Sequence, residues 1–313
     1  MARPRDISSV IAIPGPWQHR DVAANGARFH VAESLPSGKD AAPLVLLLHG
    51  FPEFWWTWRA QLPALSAGGY RAAAMDLRGY GGSDKPPRGY DPITLAQDVC
   101  GVVKALGARR AVVVGHGWGG YVAWAAAALH PGEVFALCSV SAPHPRVMLK
   151  ALRPGNEVRA LGHVLAMQVP LLPERRLSDP AGTFLRSHLS GWSSPHSSFP
   201  DETAVATYQE ALNLWPAPHC ALEYHRWLVR SRLRSDGRRF NRLMSGLIDQ
   251  PVCMVHGDDD PALPARSTAH SGGHVRGDFR HRELERAGHF PHEEQPEAFN
   301  ELLLGWLAGV AHR

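Results

Sequence analysis

The chain reads as an open, doubly wound α/β sheet interrupted by one helical insertion. Three observations predict this. Four short runs, residues 44–48, 71–75, 111–114 and 134–140, are apolar on both faces, as buried parallel strands require. Helical patterns over 55–66, 94–106 and 118–130 fall between them, the last closed by Pro131-Gly132, so strand and helix alternate. From about residue 147 to 243 the rhythm stops: helical stretches are joined by Pro/Ser-rich connectors such as Gly191-Trp192-Ser193-Ser194-Pro195, with no buried-strand run.

The elements follow in order. Residues 18–23 and 28–32 alternate around Asn25-Gly26, a hairpin signal, so the chain opens with antiparallel strands. The four buried runs and their helices follow, then the insertion. The α/β pattern resumes with strands at 252–255 and 279–284 and closes on an amphipathic helix over 296–310. The expected organisation is a first core part at 1–146, a helical cap at 147–244 and a second core part at 245–313.

Composition narrows the partners. With 33 basic and 29 acidic residues the net charge is +4, and it is not gathered into blocks. The densest basic stretch, 226–242, interleaves arginines with Trp227, Leu228, Leu233 and Phe240, which reads as solvated helix faces; no nucleic-acid partner is expected. Cys100, Cys138, Cys220 and Cys253 are far apart in apolar contexts and read as buried free thiols. No apolar run reaches the ~18 residues of a membrane span and the N-terminus has no leader-like core, so no membrane partner and a cytoplasmic location are expected. Of the 18 histidines, His270 and His274 share a Gly-rich loop without an obvious third ligand, and no metal is expected.

Four loops fall at the carboxyl ends of predicted parallel strands, where open α/β sheets place their sites. His49-Gly50-Phe51-Pro52 can aim the Phe51 N–H at a developing negative charge, with the Trp118 N–H as second donor. Gly115-His116-Gly117-Trp118-Gly119 has the spacing of a strained strand-to-helix elbow that normally presents a nucleophile; its centre is Gly117, which has no side chain. His256-Gly257-Asp258-Asp259-Asp260 supplies carboxylates, and Gly288-His289-Phe290 a histidine. Elbow, acid and histidine occur in the chain order of the α/β-hydrolase triad.

With His49-Gly50-Phe51-Pro52-Glu53, the stretch from Asp76 to Pro86, the elbow and Gly288-His289-Phe290, the chain resembles the bacterial epoxide hydrolases of the α/β-hydrolase superfamily over about residues 17–307. The resemblance implies an α/β-hydrolase fold: a mostly parallel central sheet, helices on both faces and an inserted helical cap. It implies no cofactor and a small hydrophobic substrate. In that family an elbow Asp attacks the epoxide carbon, a His-Asp pair activates water to hydrolyse the ester, and two cap tyrosines hold the epoxide oxygen. Carried over, the base is His289 and its partner Asp260, three residues after the glycine.

Three positions depart from that pattern. Gly117 replaces the nucleophile, His163 stands at the first tyrosine position and His225 at the second; Tyr224 and Tyr208 remain as alternative phenols. The favoured expectation is an epoxide-hydrolase-like protein in which a water activated by His289 and Asp260 attacks directly, a protonated His163 or His225 serving as acid. The alternatives are a different reaction on the same scaffold and a non-catalytic small-molecule-binding pseudoenzyme. Phe51 and Trp118 argue against haloalkane and fluoroacetate dehalogenases, which resemble this chain but carry Asn and Arg there. A serine esterase would need serine at 117, and Ser139 and Ser141 end another strand. Trp55, Trp56 and Trp58 read as packing residues, while Trp192, Phe199 and Trp215 are expected to shape an apolar cavity.

Overall fold

The computed structural model describes residues 7–38, 42–151 and 159–311; the first six residues, part of the stretch read as lacking a leader, lie outside them, as does 152–158 within the expected insertion. Eight strands form one sheet: β1 (Gln18–Ala24), β2 (Ala27–Ser34), β3 (Leu44–Leu48), β4 (Arg71–Met75), β5 (Ala111–His116), β6 (Val134–Val140), β7 (Val252–Gly257) and β8 (Phe279–Leu284). Their spatial order is β1-β2-β4-β3-β5-β6-β7-β8, with β1 and β2 antiparallel to their neighbours and the rest parallel. This is the mostly parallel sheet of the α/β-hydrolase fold.

The residues explain the layout. β3, β5 and β7 are buried along their whole length, because helices cover both faces of the central sheet. The two edge strands carry charged and histidine side chains and are largely half-buried or exposed, which blunts edge-to-edge pairing. The β1–β2 turn uses positive φ at both Asn25 (45°) and Gly26 (72°), as a tight hairpin demands. The helix Pro92–Ala105 starts where Asp91 accepts a hydrogen bond from the Thr94 N–H (3.0 Å), with Pro92 in its first turn.

One predicted helix is broken. The pattern over 55–66 becomes a 3-10 turn, Trp55–Trp58, followed by the helix Gln61–Ala67. Pro63 has no N–H and is tolerated only in a first turn, so a helix running through it from residue 55 would lose a bond and clash. Trp55 is also tied down by its N–H to Asp76 Oδ1 (2.8 Å) and by its indole to the Ile11 carbonyl (3.0 Å). All three tryptophans of this turn are buried packing residues.

Between β6 and β7 the described residues contribute only helices, from Pro145–Ala151 to Ser235–Leu243, and no strand. The four cysteines are buried and free. Arg226 is not solvated as expected: it is buried and paired with Glu174 at 2.7 Å. Trp215 does not shape a cavity, being 78% exposed, and Phe199 packs instead on Phe290. No helix among the described residues is long and apolar enough to cross a membrane.

Candidate active site

β3, β5, β6 and β7 all deliver their carboxyl ends to one cavity. Gly117 follows β5 with φ 51° and ψ −116°, a conformation that L side chains rarely adopt, and opens the helix Trp118–Leu129. The surrounding glycines are forced by packing. A Cβ on Gly115 would lie 2.4 Å from the Gly119 carbonyl oxygen, one on Gly119 2.3 Å from the Leu48 carbonyl oxygen, and one on Gly50 2.7 Å from His116 Nδ1. At Gly117 a Cβ would meet only Gly50 Cα at 3.6 Å and His289 Nε2 at 3.8 Å, ordinary contacts. Lack of room is therefore not what keeps a side chain from residue 117.

His289 lies across from that space. Its Nδ1 bonds Asp260 Oδ2 at 2.9 Å, and its backbone N–H donates to the Trp192 carbonyl (2.8 Å). Burial pushes the Asp260 carboxyl up, but His289, His256 and the Ala262 N–H together pull it below the usual carboxylate range. An ionised Asp260 takes the Nδ1–H, which leaves the Nε2 lone pair turned to Gly117. The aspartate run divides its labour: Asp258 is exposed, Asp259 accepts from Ser194 Oγ (2.6 Å), and only Asp260 reaches the histidine. Glu294 fixes the same loop by accepting from the N–H groups of Gly288 (2.9 Å), Phe290 (3.0 Å) and Ser194 (2.8 Å).

Beneath the elbow lies a fully buried ion pair. His116 Nδ1 faces Glu53 Oε2 at 2.8 Å, and its Nε2 faces the His289 carbonyl at 2.9 Å. Both partners are acceptors, so both ring nitrogens carry protons. Burial opposes that charge, yet Glu53 holds His116 above the ordinary histidine range, and the two histidines nearby hold Glu53 well below its own. His292 adds a third potential metal ligand here, but its Nε2 is engaged by Thr57 Oγ1 (2.7 Å). His270 and His274 do not converge on a shared site: His274 stacks on His144 with ring centres 4.1 Å apart.

The helical side contributes three imidazoles, His163, His188 and His225, around the Phe51 ring (5.5, 5.4 and 4.9 Å between ring centres). Hydrogen bonding fixes two of their tautomers. The Trp118 indole can only donate, and it meets His225 Nε2 at 3.0 Å. His225 therefore carries its proton on Nδ1, toward the Ala221 carbonyl (3.2 Å). His163 Nε2, 3.2 Å from the same His225 Nε2, must be an N–H donor to it. Burial lowers all three, His163 to about 4 and His188 and His225 well below 6.5, so they are neutral at pH 7. This corrects the expectation of a protonated His163 or His225 acting as acid. Of the two whose tautomers are fixed, only His163 has an N–H to lend.

The two tyrosines do not reach the cavity. Tyr224 O–H donates to the Arg78 carbonyl (2.7 Å) and Tyr208 O–H to Glu293, both fully buried. Each sits on the helix face that packs against the sheet domain, where its phenol is consumed. Phe51 and Trp118 do line the cavity with Gly117 and His289. Sequence reasoning missed His188, Tyr121 and the cavity-facing position of Ser141. His188 had a signal: it stands four residues before Trp192 on one helix, hence on the same face.

The sequence pattern of the alpha/beta hydrolase family matches residues 45–302. The chain is 32% identical over 324 residues to epoxide hydrolase A of Mycobacterium tuberculosis, covering 94% of this chain and 98% of that one. To epoxide hydrolase 3 of Xenopus tropicalis it is 33% identical over 291 residues, covering 90% and 75%. Among solved structures it superposes on an epoxide hydrolase from an endophytic Streptomyces with a TM-score of 0.79 at 29% identity, over 96% and 97% of the two chains.

Proposed function

The chain belongs to the α/β-hydrolase family, and we propose that it hydrolyses a small apolar epoxide in one step, using water activated by His289 and Asp260 where relatives of this type carry a nucleophilic side chain. The observation that carries this reading is the pairing of an Asp260-oriented His289 with open space at Gly117, where a Cβ would stand 3.8 Å from Nε2. The names of its relatives supply the substrate class. Helices within 147–244 serve as the cap over the cavity.

The step balances without a cofactor. His289 Nε2 takes a proton from water as the hydroxide oxygen forms a bond to an epoxide carbon and the ring C–O bond breaks. The departing ring oxygen accepts a hydrogen bond from His163 Nε2–H, exchanging it for the His225 contact, and finally receives the proton held on His289. The backbone N–H groups of Phe51 and Trp118 flank Gly117 as donors to negative charge. General-base catalysis of this kind supplies about 10²–10⁴-fold, so slow turnover is expected.

The test is diol formation from a panel of terminal and aryl epoxides by the protein, by His289→Ala and by Gly117→Asp. Turnover that falls by about 10²–10⁴-fold in His289→Ala is the expected result. Turnover indifferent to His289, or found only in Gly117→Asp, would overturn direct water attack; in the second case the chain would be a scaffold that binds without its own reaction.

A further inference from the structure

The cavity holds two hydroxyls that the reaction above does not use. Tyr121 is four residues after Gly117, one turn along the same helix, and Ser141 directly follows β6, whose Val140 pairs with His116 and accepts from the Gly117 N–H (3.0 Å). Both line the cavity together with Gly117 and His289. Both are buried, at 2% and 1% exposure, and neither hydroxyl has a hydrogen-bond partner.

Their surroundings make this costly. The Tyr121 ring lies against Trp118 and Phe240, with ring centres 5.4 and 5.9 Å away, and its buried hydroxyl finds no polar partner there. Ser141 has φ 52°, a left-handed conformation unusual for a serine, and its backbone is pinned by the N–H to the Val255 carbonyl (2.9 Å). Strained residues of this sort persist where the surrounding fold imposes them, commonly at binding sites. By contrast the neighbouring Ser139 hydroxyl is satisfied, donating to the Ala142 carbonyl at 2.5 Å, and it does not line the cavity. Unpartnered buried hydroxyls on residues that line a cavity are the complement of a ligand that brings an acceptor.

We propose that Tyr121 and Ser141 form a second polar subsite that takes an oxygen acceptor of the substrate, a carbonyl or hydroxyl oxygen, away from the reacting carbon. The substrate is thus an oxygenated small molecule with an otherwise apolar body, held at one end by these hydroxyls and presented at the other to His289. This rests on the reading of the cavity as the substrate site. A purely hydrocarbon epoxide would fill the same space but strand both hydroxyls.

Binding tests the subsite apart from turnover. Equilibrium dialysis compares 4-phenyl-2-butanone with its hydrocarbon isostere isopentylbenzene in the full chain, in Tyr121→Phe and in Ser141→Ala, with Ser141→Gly as the version that suits the positive φ. Solvation of the two probes is common to every protein, so the change in their affinity ratio isolates the subsite. The ratio is expected to shift about tenfold toward the hydrocarbon in each variant. An unchanged ratio in Tyr121→Phe and in both serine variants would overturn the subsite. A shifted ratio in a protein that forms no diol would uphold the subsite while ending the hydrolytic reading.

Discussion

The two walls of the cavity use histidine in opposite ways. On the sheet wall each functional imidazole has a carboxylate: His289 bonds Asp260 and His116 bonds Glu53, at 2.9 and 2.8 Å. On the helical wall His163, His188 and His225 have one another and aromatic rings, and burial keeps them uncharged. Five imidazoles within one region thus divide into charge-managing and neutral sets. The lesson is that a histidine's chemistry follows from its partner: a buried carboxylate orients the ring, and at His116 also holds its charge, while burial alone leaves it a weak donor or acceptor.

The largest effect probes the sheet wall. Gly119→Ala drives a Cβ to 2.3 Å from the Leu48 carbonyl oxygen, and is expected to cost about 3 kcal/mol or more of stability. Gly117→Ala, which meets no atom closer than 3.6 Å, should cost only the backbone angle, about 1–2 kcal/mol. Urea denaturation of both variants measures the difference, and equal losses would show that room is as scarce at 117 as around it.

Next comes the helical wall. His163→Phe keeps the ring packing against Phe51 but removes the N–H assigned to the epoxide oxygen, and kcat/KM for diol formation should fall about 10–100-fold. A variant with full activity would transfer that role to another donor.

The smallest effect is a slope. Burial holds His163 at about 4 and His188 well below 6.5, so as pH drops below about 6.5 the unfolded chain binds protons that the folded cavity refuses. Stability therefore rises with pH between about 4 and 6.5. Removing one such group in His188→Phe should flatten that slope by up to about 1.4 kcal/mol per pH unit. Denaturation midpoints at pH 5 and 7 read it, and an unaltered slope would mean that His188 titrates normally in the folded protein.

Much of the fold was legible because burial imposes a period. Residues 44–48 form the expected strand to the residue, since a short run apolar on both faces leaves few alternatives, and a strand near 279–284 closes the sheet as its edge. The 55–66 helix failed because Pro63 sits where pattern counting ignores a missing N–H. The tyrosines were harder: Tyr224 and Tyr208 carry the right group on the right helices, but the rotation of those helices turns both phenols to the core.

By itself the sequence determined the alternation of strand and helix, the place of Gly117 at the elbow, and His289 and Asp260 in loops after successive strands, because each is written in local pattern and in chain order. Only the tertiary structure decided which imidazoles are neutral, which hydroxyls of cavity-lining residues stay unpaired and whether Gly117 has room beside it. Those properties depend on contacts between segments far apart in sequence, where a single helix rotation or a shift of about 1 Å exchanges one partner for another, and no local pattern records that geometry.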